Sequence, residues 1–302
     1  MCEPTVEDLE MTSWWNENLY PDCRQSFLID RVLYDRKSRF QRIQILDTAR
    51  FGRVLVLDGI VQTTDADEFI YHEMLVHPAL TRHDNPTRVA VVGGGDGGAA
   101  REVLRWPCVE QLDLIEIDAE VISVSETYLP DVSKRAFADR RLKIRYEDGA
   151  KYLESAKDRY DVIIVDSSDP IGPSTALFSN AFYNACMRSL GTSGILVTQC
   201  GAPFLAGSQF RSAYESLCSC ARHVAVYATA VPTYYGGSFA FLMATNDCSS
   251  LSKRTKLTKA GAQILCSSRH INRALNQHLL AIPTWQALMI ADLRSACVNC
   301  GH

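Results

Sequence analysis

Residues 91–103 read VVGGGDGGAAREV, a glycine loop set between an apolar run and a helical pattern. Loops of this kind follow a strand and open a helix whose N-terminal amides attract anions. This one carries Asp96 in its middle. A dinucleotide pyrophosphate would meet that carboxylate at close range, where like charges repel by on the order of several kcal/mol at low effective dielectric. The expected ligand is instead a nucleoside without phosphate, bearing positive charge. A sulfonium nucleoside such as S-adenosylmethionine or a relative fits, and a fixed Asp96 favours the relative that has lost its carboxylate.

Outward from the loop, RVAVV, QLDLIEI, LKIRY, YDVIIVD, GILVTQ, HVAVYAT and FAFLMAT are apolar runs of strand length, separated by helical stretches. Continuous apolar strands arise when both sheet faces are covered. The pattern predicts an α/β, Rossmann-like doubly wound sheet. Earlier in the chain, FLIDRVLY, FQRIQIL and RVLVLDGIVQ are short and alternating and read as antiparallel strands. A helix is expected over 68–80. The predicted organisation is a small β-rich domain over 1–66 and a catalytic domain over 67–302. Residues 249–270 are expected to form an exposed connection followed by a helix.

Ligands of open sheets bind beyond the carboxyl ends of the strands. There the sequence places Asp96 after the first strand, Glu116 and Asp118 after the second, Asp148-Gly149 after the third, and Asp166-Ser167-Ser168-Asp169 after the fourth. An acidic residue about twenty positions after the loop suits the hydroxyls of a ribose. Helix capping is the blander use of these carboxylates. A second acidic stretch lies ahead of the sheet, where Asp58, Asp65, Asp67, Glu68 and Glu73 accompany Tyr71 and His72 and no Lys or Arg intervenes between Arg53 and Arg82. Folded over the crevice, it would give a negative field suited to a diamine. The alternative is a solvated acidic helix start.

A length of 302 residues and 47% hydrophobic content suffice for a full core. A net charge of -4 gives no reason to expect nucleic acid. The start, MCEPTVEDLEMTSWWNE, has no basic and apolar leader pattern, and no apolar run approaches a membrane span. A cytoplasmic protein with no membrane partner is expected. Eleven cysteines then read as reduced thiols. Cys297, Cys300 and His302 lack a second pair at zinc spacing and are read as a tail.

Taken together, KSRFQ (37–41), FGRVLVLDGIVQTTDADEFIYHEMLVH (51–77), VVGGGDGGAAREV (91–103), EIDAEV (116–121), EDG (147–149), YDVIIVDSSDPIGP (160–173), VTQ (197–199) and VPTYYGG (231–237) form a specific set. With these motifs the chain resembles the spermidine synthase family of polyamine aminopropyltransferases, above all its bacterial members, up to about Asn246. The resemblance implies a β-rich N-terminal part and a catalytic domain of the class I methyltransferase-like Rossmann type. It implies transfer of an aminopropyl group from decarboxylated S-adenosylmethionine, a co-substrate, to putrescine or a similar diamine, giving spermidine and methylthioadenosine. No permanently bound cofactor and no metal are implied, and a homodimer or homotetramer is.

Carried over by motif, Gln41, Asp96, Glu116, Asp148, Gly149, Asp166 and Pro173 would contact the nucleoside co-substrate. His72, Tyr71, Asp96, Ser167, Ser168, Asp169 and Tyr234 would hold the amine, with Asp166 as proton acceptor assisted by Asp169 and Tyr71. A protonated amine has no lone pair, so a base is needed before it can attack. Asp169 is expected to raise the proton affinity of Asp166. Two positions depart from the family pattern: Cys200-Gly201 follows VTQ where bacterial relatives more often carry Asn, and Ile271-Asn272-Arg273 replaces a tyrosine-rich stretch. Cadaverine, agmatine and spermidine therefore stay open as acceptors, as do a methyltransferase and an inactive polyamine-binding homologue. Phe239 and Phe241 are expected in the core and Cys200 as a buried, inert thiol.

Overall fold

A computed structural model of the chain describes residues 13–156, 159–169, 172–252 and 257–298. Pro170 and Ile171 of the DSSDPIGP motif, and Cys300 and His302 of the tail, lie outside the described residues. The chain divides into two compact units between Ala66 and Asp67.

In the first unit, β1 (Ser13–Glu17) and β2 (Gln25–Ile29) form an antiparallel ribbon. Strands β3 (Arg31–Lys37), β4 (Arg42–Thr48), β5 (Gly52–Leu57) and β6 (Ile60–Thr64) form a meander. FLIDRVLY is thus two strands broken at Asp30, and β1 is an element the sequence pattern did not announce. Its Trp14 is exposed, so the short SWWNE segment lacks the alternation that marks a half-buried strand. The β5–β6 hairpin turns at Asp58 and Gly59, with φ of 48° and 81°, the left-handed pair that a tight Asp-Gly turn uses.

The second unit holds a seven-stranded sheet of β7 (Arg88–Gly93), β8 (Gln111–Glu116), β9 (Leu142–Tyr146), β10 (Tyr160–Asp166), β11 (Leu190–Gln199), β12 (His223–Ala230) and β13 (Ser238–Thr245). Their order is β9-β8-β7-β10-β11-β13-β12, with β13 antiparallel to both of its neighbours. The helices are α1 (Glu68–Arg82), α2 (Gly98–Leu104), α3 (Ala119–Tyr128), α4 (Pro130–Ser133), α5 (Gly149–Ser155), α6 (Asn180–Ser189), α7 (Gly207–Cys220), α8 (Cys248–Ser252), α9 (Lys259–Ser267), α10 (Arg273–Gln277) and α11 (Thr284–Val298). This is the Rossmann-like doubly wound fold, accompanied by a separate β-rich N-terminal unit. Val89 and Val91 enter one core with α1 and α2. Ala90 and Val92 enter another with α5, α6 and α7. Both faces of β7 are covered, which is why its sequence is apolar throughout.

Helix α1 contains Pro78. A proline removes the N–H that would bond the carbonyl four residues back, here that of Met74. The Tyr227 hydroxyl of β12 donates to this carbonyl at 3.0 Å. Among the described residues no helix is long and apolar enough to cross a membrane, and the cysteines described carry no disulfide.

The chain leaves β7 toward β8 and β9, then returns to β10 on the other side. The switch point of the sheet therefore lies between β7 and β10, where a ligand crevice is expected. At that point Gly93 pairs with Asp166, and a Cβ on Gly93 would stand 2.1 Å from the Asp166 carbonyl oxygen, at a φ of +82°. Left-handed strain costs about 1–2 kcal/mol and forced repacking about 1–3 kcal/mol. Gly93→Ala is accordingly expected to lower the thermal unfolding midpoint by about 6–12 °C, read by circular dichroism; an unchanged midpoint would refute the close approach.

Candidate active site

The glycine loop is built backward from Asp166. The Gly94 N–H donates to the Asp166 carbonyl at 2.9 Å, and Gly97 N–H to the Gly94 carbonyl at 2.9 Å. Gly93, Gly94 and Gly97 all have φ above +70°, a conformation that disfavours a side chain. Asp96, at the crest, accepts the Gly98 N–H at 2.8 Å. Gly98 serves another purpose: a Cβ there would fall 2.2 to 2.5 Å from Cε1, Nδ1 and Nε2 of His72. The imidazole lies directly on this glycine.

Tyr71 and His72 reach this place from consecutive positions of α1. The Tyr71 hydroxyl donates to Asp166 Oδ1 at 2.7 Å. His72 Nδ1 donates to Glu68 Oε2 at 2.6 Å, and its Nε2 faces Asp96 Oδ2 at 3.4 Å. Donor atoms of His72, Asp96 and Asp166 lie within 4.8 Å of one another, a cluster able to hold a cation. Asp166 Oδ2 is buried and has no hydrogen-bond partner among the described residues.

The titration of these groups follows from burial and sign of charge. Burial alone would lower His72, but the Asp96 and Glu68 carboxylates overturn this and hold it well above the usual imidazole value. Asp96 would be raised by burial, yet His72 and the Gly98 N–H bring it below its ordinary value. Asp166 is raised to about 6, by burial first and by Asp96 next, against the opposing pull of His72 and Tyr71. The neighbouring charge is therefore Asp96 rather than the expected Asp169. Asp169 is raised to about 6 by its own burial and stands beside Gly201, whose Cβ would lie 3.6 Å from Asp169 Oδ1.

An aromatic wall closes the Tyr71 side. Tyr234, Phe239 and Phe241 each pack against the Tyr71 ring at 5.7 Å between centroids. Phe239 and Phe241 are buried, in agreement with the core expectation. Tyr234 is placed by Asp67, which accepts the Thr233 N–H at 2.8 Å and its hydroxyl. Cys200 is buried, and burial pushes its thiol up.

At the β8 end, the buried Glu116 carboxylate accepts the Asp118 N–H at 2.9 Å. It also sits against Gly95, where a Cβ would lie 3.0 Å from Oε2. Asp118 caps α3 and Asp148 caps α5, taking the Glu120 N–H and the Ala150 N–H respectively. Gly149 lets α5 start close to β7, since a Cβ would meet Val92 Cγ1 at 2.3 Å. Pro173 falls in the 3-10 turn Gly172–Phe178, and the Ser168 hydroxyl meets that of Ser174. Gln41 stands in the first unit, just before β4.

The carboxylates of the acidic stretch are taken up by donors within the chain. Glu68 is bound by Arg101 as well as His72. Glu73 gathers the N–H groups of Arg269, His270 and Ile271 at 2.7 to 2.9 Å, Asp58 takes that of Arg42 and Asp65 that of Arg53. Buried or turn carboxylates satisfy backbone donors first. Sequence reasoning also missed Gln199, whose Nε2 donates to the Ser167 carbonyl while its Oε1 accepts the Gly201 N–H; its place at the end of β11 was the available signal.

A doubly wound sheet with carboxylates gathered at its switch point is the architecture of a ligand-binding α/β enzyme. The family description "Spermine/spermidine synthase domain" matches residues 68–254, and "Spermidine synthase tetramerisation domain" matches 13–65. The chain belongs to the spermine/spermidine synthase family and is an enzyme of the polyamine aminopropyltransferase type. It is 40% identical over 274 residues, 90% of this chain and 94% of the relative, to a polyamine aminopropyltransferase of Shigella boydii. A polyamine aminopropyltransferase of a Ruegeria species is 44% identical over 227 residues, 75% of this chain and 80% of its own. Spermidine synthase from Thermotoga maritima superimposes with a TM-score of 0.85 at 31% identity, over 95% of this chain and 98% of that one. A spermidine synthase in complex with the transition state analogue AdoDATO gives 0.86 at 31% identity, with the same coverage. The tetramerisation match supports a homo-oligomer.

Burial raises Glu116 from 4.5 to about 7. A carboxyl with a raised folded-state value takes up a proton on folding, so the fold loses stability as pH rises from about 4.5 to 7 and stays lower above that. Glu116→Gln is expected to stabilise the unliganded protein by up to about 3 kcal/mol at pH 8 and by little at pH 4. Chemical denaturation at the two pH values measures this.

Proposed function

We propose that the enzyme is a spermidine synthase, transferring the aminopropyl group of decarboxylated S-adenosylmethionine to putrescine, with spermidine and methylthioadenosine as products. The observation that carries the reading is Asp166: one oxygen held by Tyr71, the other buried and unpartnered, beside the His72–Asp96 pair. Glu116 takes the ribose hydroxyls at the β8 end, with Asp148, Gly149 and Pro173 completing the nucleoside contacts. Asp96 faces the ammonium of the aminopropyl chain and would repel the carboxylate of ordinary S-adenosylmethionine.

The attacking ammonium of putrescine must first lose a proton. Asp166 Oδ2 accepts it, while Tyr71 fixes the carboxylate so that the freed lone pair points at the methylene bonded to sulfur. Displacement forms the new C–N bond, and the C–S electron pair stays on sulfur, which leaves as a neutral thioether. Asp169, with Ser167 and Ser168, holds the amine chain, and Tyr234 walls its groove. His72 acts on the amine through Asp96, since both of its nitrogens face carboxylates. We place the reaction in the cytoplasm and in a homodimer or homotetramer.

Incubation with decarboxylated S-adenosylmethionine and putrescine, cadaverine, agmatine or spermidine, followed by assay of methylthioadenosine, tests the reading. Release is expected with putrescine above all; release with another amine alone would reassign the acceptor, and none with any amine would defeat the proposal. Asp166→Asn should lower kcat about a hundredfold or more while methylthioadenosine binding persists. Because Asp166 works ionised and sits at about 6, kcat/KM should fall about tenfold per pH unit on the acid side of that value. An acid limb near pH 4 would remove Asp166 from the role of base.

A further inference from the structure

Glu68 and Arg101 stand one step behind the groups that meet the amine. Arg101 grips the Glu68 carboxylate with both terminal nitrogens, Nη1 to Oε1 at 3.0 Å and Nη2 to Oε2 at 2.9 Å. Its Nε binds Glu102 at 2.8 Å. The Glu68 oxygen that takes Nη2 is the same one that accepts the His72 Nδ1–H. A chain of contacts thus runs Arg101, Glu68, His72, Asp96 and ends beside Asp166.

Such a pair adds little net stability once both charges are desolvated, but a bidentate fork fixes direction. Direction is what the imidazole needs, because it must lie flat on Gly98 to keep Nε2 toward Asp96. We propose that the Arg101–Glu68 pair is a positioning device for aminopropyl transfer, locking His72 over Gly98 so that Asp96 is held beside Asp166. The proposal rests on the reading above for the reaction it serves. The charged and titratable groups facing His72 are Glu68 and Tyr71 on α1, Asp96 on the loop, Arg101 on α2 and Asp166 at the end of β10. Beyond them, Glu102 is held by Arg105 and His77.

Glu68→Gln is nearly isosteric, and Glu68 borders a cavity of about 520 Å³ with Arg101, Arg105 and Arg269, which gives the new amide room. Nitrogen NMR across a pH series should show wild-type His72 keeping both ring protons to higher pH than an ordinary imidazole, and the variant losing one at lower pH than wild type. Its kcat should fall about tenfold or more. The acid limb of kcat/KM should move to higher pH, because without the imidazolium charge Asp166 keeps its proton longer. Methylthioadenosine affinity should stay within about twofold of wild type.

A pair that only ties α1 to α2 would alter the unfolding midpoint and leave the His72 signal and the acid limb in place. That result overturns the proposal. Should Glu68→Gln fail to fold, Arg101→Lys carries the test: it keeps the charge and loses the fork, so a lowered kcat with a moved limb is expected, and an unmoved limb overturns. If the His72 signal shifts in the variant while wild type transfers no aminopropyl group to any amine, the function fails and the positioning stands.

Discussion

The close approach of Gly93 to the end of β10 is the constraint on which the rest depends. Backbone at residue 93 lies where any side chain would collide with the Asp166 carbonyl, and the next amide bonds that carbonyl. One contact joins the first strand of the sheet to the fourth at the switch point, so the loop bearing Asp96 and the strand bearing Asp166 are set in a single step. Positioning by backbone is stiffer than positioning by long side chains, which suits two carboxylates that must be near neighbours despite their repulsion.

That repulsion is contained by a cation brought from elsewhere in the chain. His72 lies between Glu68 and Asp96, and its charge lets Asp96 stay ionised while Asp166, less directly paired, takes up its proton around pH 6. Two aspartates a few Å apart thereby acquire different proton affinities from their surroundings. Separation of this kind lets one carboxylate hold a cation while another accepts a proton.

Much of this was legible in the sequence, for particular reasons. The central strands β7, β10 and β11 were, because both faces of the sheet are covered there and the apolar runs are continuous. The crevice carboxylates were, because they follow strand ends. β1 was not, since SWWNE pairs only with β2 and leaves Trp14 exposed. Nor was the use of Asp67, Glu68 and Glu73: a carboxylate that binds a backbone amide or a guanidinium far away in sequence looks the same in one dimension as a carboxylate facing solvent. Asp169 was read as the neighbour that raises Asp166, because proximity in sequence stood in for proximity in space; Asp96, 70 residues earlier, fills that place. The departures at 271–273 have a visible counterpart, since the amides of 269–271 are bound by Glu73. The backbone there serves α1 whatever side chains it carries.

Pro78 has a further consequence. A helix lacking one rung of its ladder is free to swivel or bend at that rung, and α1 carries Tyr71 and His72 about two turns before Pro78. The Tyr227 hydroxyl occupies the open rung from the far edge of the sheet. It works as an indexing pin: the azimuth of α1 is keyed to an edge strand that touches no reacting atom, and with it the aim of two side chains at the heart of the crevice.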